Sequence, residues 1–312
     1  MPHAITPRLA LMLCLPPLMW AGNAVVGRLA IEQISPLWLN ALRWALALGL
    51  LLPLGWRAVA TPQRRAQIRA RWRHLALLSL FGVGAYNALQ YLALKTSTPL
   101  NVTLIAASAP VGMMALGLAF YGERPRRAQL LGAALSLLGV AVVLARGDWQ
   151  TLLRVQLVVG DLLMLLAILS WCIYSWMLAR PPANMGGEQR PDWHWSEILC
   201  IQIALGLVWA SAAAGVGEWL RPGSGSVVWS AWLIAALAFV AIGPSLIAYR
   251  VWGLAVAQVG PAVAAFFGNL TPLFAAVLSA ALLGQWPRPF HGLAFALIVA
   301  GIVVSARPAA KP

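Results

Sequence analysis

Apolar runs of about twenty residues, parted by short polar or proline-bearing segments, fill almost the whole chain. They fall near 9–30, 36–56, 74–94, 98–121, 127–145, 157–179, 197–217, 228–248, 259–283 and 290–306. At 1.5 Å per residue, such a run crosses a hydrocarbon core of ~30 Å as an α-helix. Strands span a bilayer only as closed barrels whose residues alternate polar and apolar, and runs such as 130–144 do not alternate. The pattern predicts an all-α, polytopic membrane protein of ten transmembrane helices. The connections at 95–97 and 249–258 are short enough to leave nine or eleven open.

One stretch of this pattern occurs twice. Residues 91–142 lie without a gap over 253–304, 162 positions on, pairing Ala93 with Ala255, Pro99 with Pro261, Pro110 with Pro272, Gly122 with Gly284, Pro125 with Pro287 and Gly139 with Gly301. The parts before it match weakly, with Trp20 set against Trp171. A duplicated unit of five spans divides the chain into 1–150 and 151–312. An odd number of spans per unit turns the second upside down, so the expected architecture is two inverted five-helix repeats about an axis in the membrane plane.

Composition agrees: 61% of residues are hydrophobic and 10% charged, against about 25% charged in a typical soluble domain. The formal net charge of +14 does not point to nucleic acid, because position along the chain explains it. With the N-terminus inside, fifteen basic residues fall on the inner side, among them Arg57, Arg64, Arg65, Arg69, Arg71 and Arg73. Six fall outside, including Arg146, and Arg43 lies within a span. Both termini are therefore expected in the cytoplasm. The basic segment 122–127 faces in and its depleted counterpart 284–289 faces out. The first run, flanked by Arg8, reads as a retained helix rather than a cleaved signal. The segment 180–197 reads as a mobile cytoplasmic loop. Cys14, Cys172 and Cys200 fall inside spans and read as small apolar side chains.

Polar groups at membrane depth seek a partner or a wet cavity, which makes them the candidates for a site. Trp20 and Asn23 share one face of the first span, with helix contact as the alternative role. Tyr86, Asn87, Gln90 and Tyr91 form the densest polar stripe, and four such residues in six favour a cavity wall. Asn101 follows Pro99, and Trp171 and Tyr174 share a face of the sixth span. Arg43 stands roughly 10 Å into the second span. It reads as a structural anchor, a binder of a substrate carboxylate or a lipid-headgroup contact. Pro110 and Pro272 each remove a helix hydrogen bond and predict kinks at one depth in the two units, serving either gating or fixed packing. Asp161 sits at a helix start, suited to capping amides. No acidic residue lies at mid-membrane, so proton or cation coupling lacks a candidate. Phosphate-binding, dinucleotide, metal and nucleophile-elbow motifs are absent, so neither enzyme activity nor a cofactor or metal is expected.

The sequences MWAGNAVVGRLA, PLWLNALRW and ALKTSTPLNVTLIAASAPVGMMALGLAFYGERP, with the duplicated units, resemble the drug/metabolite transporter superfamily and specifically its ten-helix EamA-type carriers. The long connection between spans six and seven and the aromatic-rich helices are similar to aromatic amino-acid exporters of the YddG type. The resemblance implies export of amino acids or related metabolites across the bacterial inner membrane by alternating access. It implies Trp20, Asn23, Tyr86, Gln90, Tyr91, Trp171 and Tyr174 as central-cavity residues. Glu123 is retained where its counterpart is Gln285, so a gating salt bridge would be one-sided. The expected partners are a small-molecule substrate, amino acids foremost, and the lipid bilayer. The oligomeric state is open and a monomer is compatible. A broad drug or metabolite exporter is the alternative, and a non-transporting scaffold or receptor the alternative of another class.

Overall fold

Hydroxyl side chains and prolines set where the helices begin. The Ser35 hydroxyl accepts the Trp38 N–H at 3.4 Å, and Pro36, with no N–H to leave unpaired, takes the first helical position. Ser230 accepts from Leu233 N–H in the same way at 3.1 Å. The computed structural model describes residues 6–97, 99–145, 148–154, 156–223, 225–283 and 288–307. Thr98, Arg146, Gln285 and Lys311 lie outside the described residues.

The helices are α1 (Pro7–Ala30), α2 (Pro36–Gly55), α3 (Trp72–Ala93), α4 (Pro99–Ala106 and Ala109–Tyr121), α5 (Arg127–Ala145), α6 (Val159–Ala179), α7 (Trp195–Leu220), α8 (Ala231–Val259), α9 (Pro261–Gly268 and Thr271–Leu283) and α10 (Pro289–Ser305). Among the described residues nine helices are long and apolar enough to cross a membrane, and α10 is a shorter apolar helix of 17 residues. The chain is thus the all-helical, ten-segment membrane protein that its periodicity predicts. One boundary differs. Residues 249–258, expected as a connection, are the last turns of α8, because nothing there breaks a helix before Gly260. Gly260 turns the chain at φ +80°, a conformation that costs glycine little, and Pro261 opens α9.

The 162-residue register recurs in the element boundaries. The two pieces of α4 start at 99 and 109, and the two pieces of α9 start at 261 and 271. The expected kinks at Pro110 and Pro272 are full breaks, with Ala107 and Ser108 in one and Asn269 and Leu270 in the other forming the turns. π-helical segments also recur, at Leu80–Ala85 in α3 and Ala241–Ile247 in α8. Helices α5 and α10 pack along each other through glycine. A Cβ on Gly132 would lie 2.7 Å from the Gly301 carbonyl oxygen, and one on Gly139 would lie 2.9 Å from that of Ala294. As the numbers rise on α5 they fall on α10, so the two helices run antiparallel. Gly132 and Ala294 occupy one register position and Gly139 and Gly301 another, so the two contacts exchange under the repeat.

The segment 180–194 is tethered, not loose. Arg71 donates to the carbonyls of Asn184 at 2.6 Å and Gln189 at 2.8 Å, Arg64 pairs with Glu197 at 2.5 Å, and Trp193 Nε1 donates to Gln67 at 3.2 Å. Arg64, Gln67 and Arg71 come from a surface helix, Pro62–Ala70, and the residue after it. The expectation of mobility overlooked these arginines, which reach backbone carbonyls that a loop would otherwise leave to water.

Candidate functional site

Trp171 is the hub of an aromatic cluster. Its ring centre lies 5.3 Å from Trp20, 5.0 Å from Tyr86, 5.2 Å from Tyr174, 5.4 Å from Tyr249 and 5.0 Å from Trp252. The approaches to Trp20 and Tyr249 are edge-on, at 87° and 77°, which sets a positive ring edge against a negative face.

On one side of the hub lies a void of about 90 Å³. Its wall includes Trp20, Tyr86, Gln90, Trp171 and Trp252, and both helix breaks contribute, α4 through Ala106 and Ala107 and α9 through Gly268 and Asn269. These residues pair across the repeat: Ala106 with Gly268, Ala107 with Asn269, Gln90 with Trp252, and, in the weaker register, Trp20 with Trp171. The void is lined by both members of each of these pairs.

On the other side, a cavity of about 400 Å³ runs from Tyr174, Gln202 and Tyr249 to His74, Arg190 and Arg250 on the arginine-rich side. Its volume falls within the ~300–1,000 Å³ usual for small-molecule sites. Among the described residues no acidic one lines it. Tyr174 donates to Gln202 Oε1 at 3.3 Å, and the Trp171, Tyr174 and Tyr249 rings separate cavity from void.

The α8 π-segment explains the next layer. Pro244 has no N–H for the Val240 carbonyl four residues back, and that carbonyl accepts instead from Ser245 Oγ at 2.7 Å and Arg43 Nη2 at 3.3 Å. Arg43 is 1% exposed and makes five further hydrogen bonds. Nε and Nη2 reach Ser245 Oγ at 3.0 and 2.8 Å, and Nη1 reaches Asn23 Oδ1 at 3.1 Å, Asn87 Oδ1 at 2.9 Å and the Tyr91 hydroxyl at 2.6 Å. Tyr91 in turn donates to Asn23 at 2.8 Å. All these acceptors are neutral, so the guanidinium joins α1, α2 and α3 to α8 without a carboxylate. The α3 π-segment is satisfied similarly: Phe81 carbonyl accepts from Ser170 at 2.8 Å, Gly82 from the Tyr249 hydroxyl, and Val83 and Gly84 from Asn40 at 3.4 and 3.3 Å.

The predicted residues therefore separate. Trp20, Tyr86, Gln90 and Trp171 line the void, with Pro272 beside them, and Tyr174 floors the cavity. Asn23, Asn87 and Tyr91 surround Arg43. Asn101 stands elsewhere: its amide donates to Asp161 Oδ2 at 3.0 Å and the Gln156 carbonyl at 3.1 Å, while Asp161 also accepts from Ser97 and from Val158 N–H at 2.9 Å. Pro110 is buried at the start of the second piece of α4. Glu123, just past α4, pairs with Arg180, just past α6, with both side chains about half exposed. Trp252, Tyr249, Gln202, Ser245 and Asn269 were missed. Continued upstream of the matched stretch at the same offset, the register sets Trp252 against Gln90 and Tyr249 against Asn87; Asn87 Nδ2 donates to the Tyr249 hydroxyl at 3.4 Å. Among the described residues, no three of His, Cys, Asp and Glu come together to hold a metal.

The EamA-like transporter family model matches residues 8–145 and 158–307. An uncharacterized transporter of Archaeoglobus fulgidus is 27% identical over 297 residues, 95% of this chain and 96% of that one. A probable terminal-alkyne amino-acid exporter of Streptantibioticus cattleyicolor is 25% identical over 239 residues, 76% of this chain and 74% of that one. A solved crystal structure shares the fold, with a TM-score of 0.68 at 21% identity over 95% of this chain and 96% of that one.

Proposed function

Because the chain belongs to the EamA-like transporter family, we propose that it exports amino acids, aromatic and other apolar ones included, across a bacterial inner membrane by alternating access. The observation that carries this reading is the void between the two helix breaks, lined by repeat-equivalent residues and faced by Trp171. A site shared equally by two units can open to either side as one rocks against the other. The matched segments meet near 150, in support of units 1–150 and 151–312. The exchange of α5–α10 contacts supports their insertion in opposite senses, and the distribution of arginine supports cytoplasmic termini.

In this reading the described conformation faces the cytoplasm. The 400 Å³ cavity admits substrate from the arginine-rich side, and Arg43 holds the opposite side shut by tying the first unit to α8. Rotation of the aromatic layer then enlarges the void to receive an apolar side chain, with Gln90 supplying an amide for the amino-acid headgroup and Asn269, whose Nδ2 donates to Ser136 Oγ at 2.8 Å, offering its amide oxygen. Glu123 and Arg180 are already paired in this conformation, so that pair does not by itself set which side is open. A cation would seek a carboxylate, and neither the void nor the cavity offers one. The amino-acid exporter of Streptantibioticus cattleyicolor supports the same substrate class.

Liposomes containing the protein should release preloaded labelled phenylalanine or tryptophan faster than empty ones, with other apolar amino acids competing and polyamines not. Gln90→Ala should slow that release about tenfold, the loss of ~1.4 kcal/mol, within the range for a hydrogen bond to a charged group. Competition by polyamines or cationic drugs, with no amino-acid flux, would replace this reading with the broad exporter. No protein-dependent flux of any solute would favour the scaffold.

A further inference from the structure

A further groove plays no part in the path above. It is a groove of about 550 Å³ between α1, α9 and α10, open on the outer surface of the helix bundle where Val277, Phe295 and Val303 are more than half exposed. Along α10 its wall extends from Phe295 to Ala306, about 16 Å at 1.5 Å per residue. That is half of a ~30 Å hydrocarbon core, the depth of one leaflet.

Chemistry changes at one end only. The lining is apolar until Arg307, at the inner terminus of α10. Arg126, from the turn between α4 and α5, donates to the Arg307 carbonyl at 2.5 Å and to that of Ser305 at 3.3 Å. Arg307 lines that end of the groove and the Arg126 guanidinium lies against its backbone carbonyl, so two arginines stand at the level of the lipid headgroups, and among the described residues no acidic residue lines the groove. An apolar slot one leaflet deep, capped by paired positive charge, matches one class of molecule in its shape and in its charge.

We propose that this groove binds an acyl chain of an anionic phospholipid from the arginine-rich leaflet, with its phosphate at Arg307 and Arg126. The site also touches the transport apparatus. Leu270, within the α9 break, forms part of the groove wall, and its neighbour Asn269 lines the central void. The lipid thus abuts the break from outside, one residue from the void.

Native mass spectrometry of the full-length protein in detergent tests this, using phosphatidylglycerol and phosphatidylcholine with identical palmitoyl and oleoyl chains. The monomer should retain phosphatidylglycerol in preference. Arg307→Gln should weaken that preference about fivefold and Arg126→Gln with Arg307→Gln should abolish it, since each basic group near an anionic headgroup contributes a factor of about five. Val303→Trp, which fills the groove, should lower retention of both lipids, and Leu273→Trp serves the same purpose should Val303→Trp fail to unfold cooperatively. Equal retention of both lipids by the wild type, an unchanged preference in the arginine variants, or unchanged retention in the filled groove would overturn the proposal. So would a dimer that Val303→Trp abolishes, because a second copy would then be the occupant.

Discussion

Arg43→Met should abolish amino-acid export, by at least tenfold in liposomes, while changing thermal stability in detergent little. Two opposing terms set that expectation. Removing the guanidinium leaves Asn87 Oδ1 and Ser245 Oγ without their donor, at about 1–3 kcal/mol for each buried group left unpaired. Removing a buried charge also ends its desolvation penalty, several kcal/mol for an ion held without a countercharge. The terms nearly cancel, leaving a stability change within about 2 kcal/mol. What is lost is the guanidinium's link from α1, α2 and α3 to α8, while the Tyr249 hydroxyl still donates to the Gly82 carbonyl of α3. The outer side should then open in the absence of substrate, seen as labelling of a cysteine in the α7–α8 connection or at Gln33 by a membrane-impermeant thiol reagent. Ser230 donates to Gln33 at 2.6 Å and Val228 N–H to its carbonyl at 2.9 Å, so Gln33 marks that closure. Arg43→Lys should fail as well, because one ammonium cannot reproduce a fork that reaches α1, α3 and α8 together. Wild-type export by Arg43→Lys would show that charge alone suffices and that the bridge is incidental.

Trp171→Ala should shift selectivity as well as rate. The ring is 4% exposed and touches five others. Truncation costs about 3–5 kcal/mol where the surroundings do not collapse, so a lower melting temperature is expected. The functional readout separates from that loss. Export of tryptophan and phenylalanine should fall at least tenfold, since the face against which an aromatic side chain would pack is gone. The deleted ring also joins the void to the cavity beyond it, so the ratio of bulky to small substrates exported should change even after correction for folded protein. Trp171→Phe should recover most of the aromatic flux. Equal losses for alanine and tryptophan in Trp171→Ala would mark the ring as a packing element only.

The spans were legible because hydrocarbon imposes a length and a composition on every helix that crosses it. The repeat carried further than the span count. It placed Pro110 and Pro272 at equivalent positions, and the breaks begin at equivalent residues, although a proline at a given depth does not say whether a helix bends or ends. The interior was less legible for two reasons. Asn87, Gln90 and Tyr91 lie in one regular α-helical stretch, Tyr86–Ala93, yet Asn87 and Tyr91 reach Arg43 while Gln90, about 100° round the helix from Tyr91, lines the void. Partners from distant helices also decide what a polar group does. Asn101 has the composition of a cavity residue, but Asp161 claims its amide. Arg43 carried three readings in sequence, and only the meeting of α1, α2, α3 and α8 distinguishes an anchor among them. Tyr249 went unnoticed as an aromatic wall because it was assigned to a connection rather than to α8.

The proposed export rests on two equivalent units inserted in opposite senses around one void, and sidedness tests it directly. Single cysteines replace Arg124, between α4 and α5, and Arg288, between α9 and α10, in a chain whose Cys14, Cys172 and Cys200 are alanine. An impermeant maleimide applied to intact cells should label the cysteine at 288 and should reach that at 124 only after the membrane is opened. Labelling of both from the same side would place the two units in parallel and rule out a shared site built by inversion.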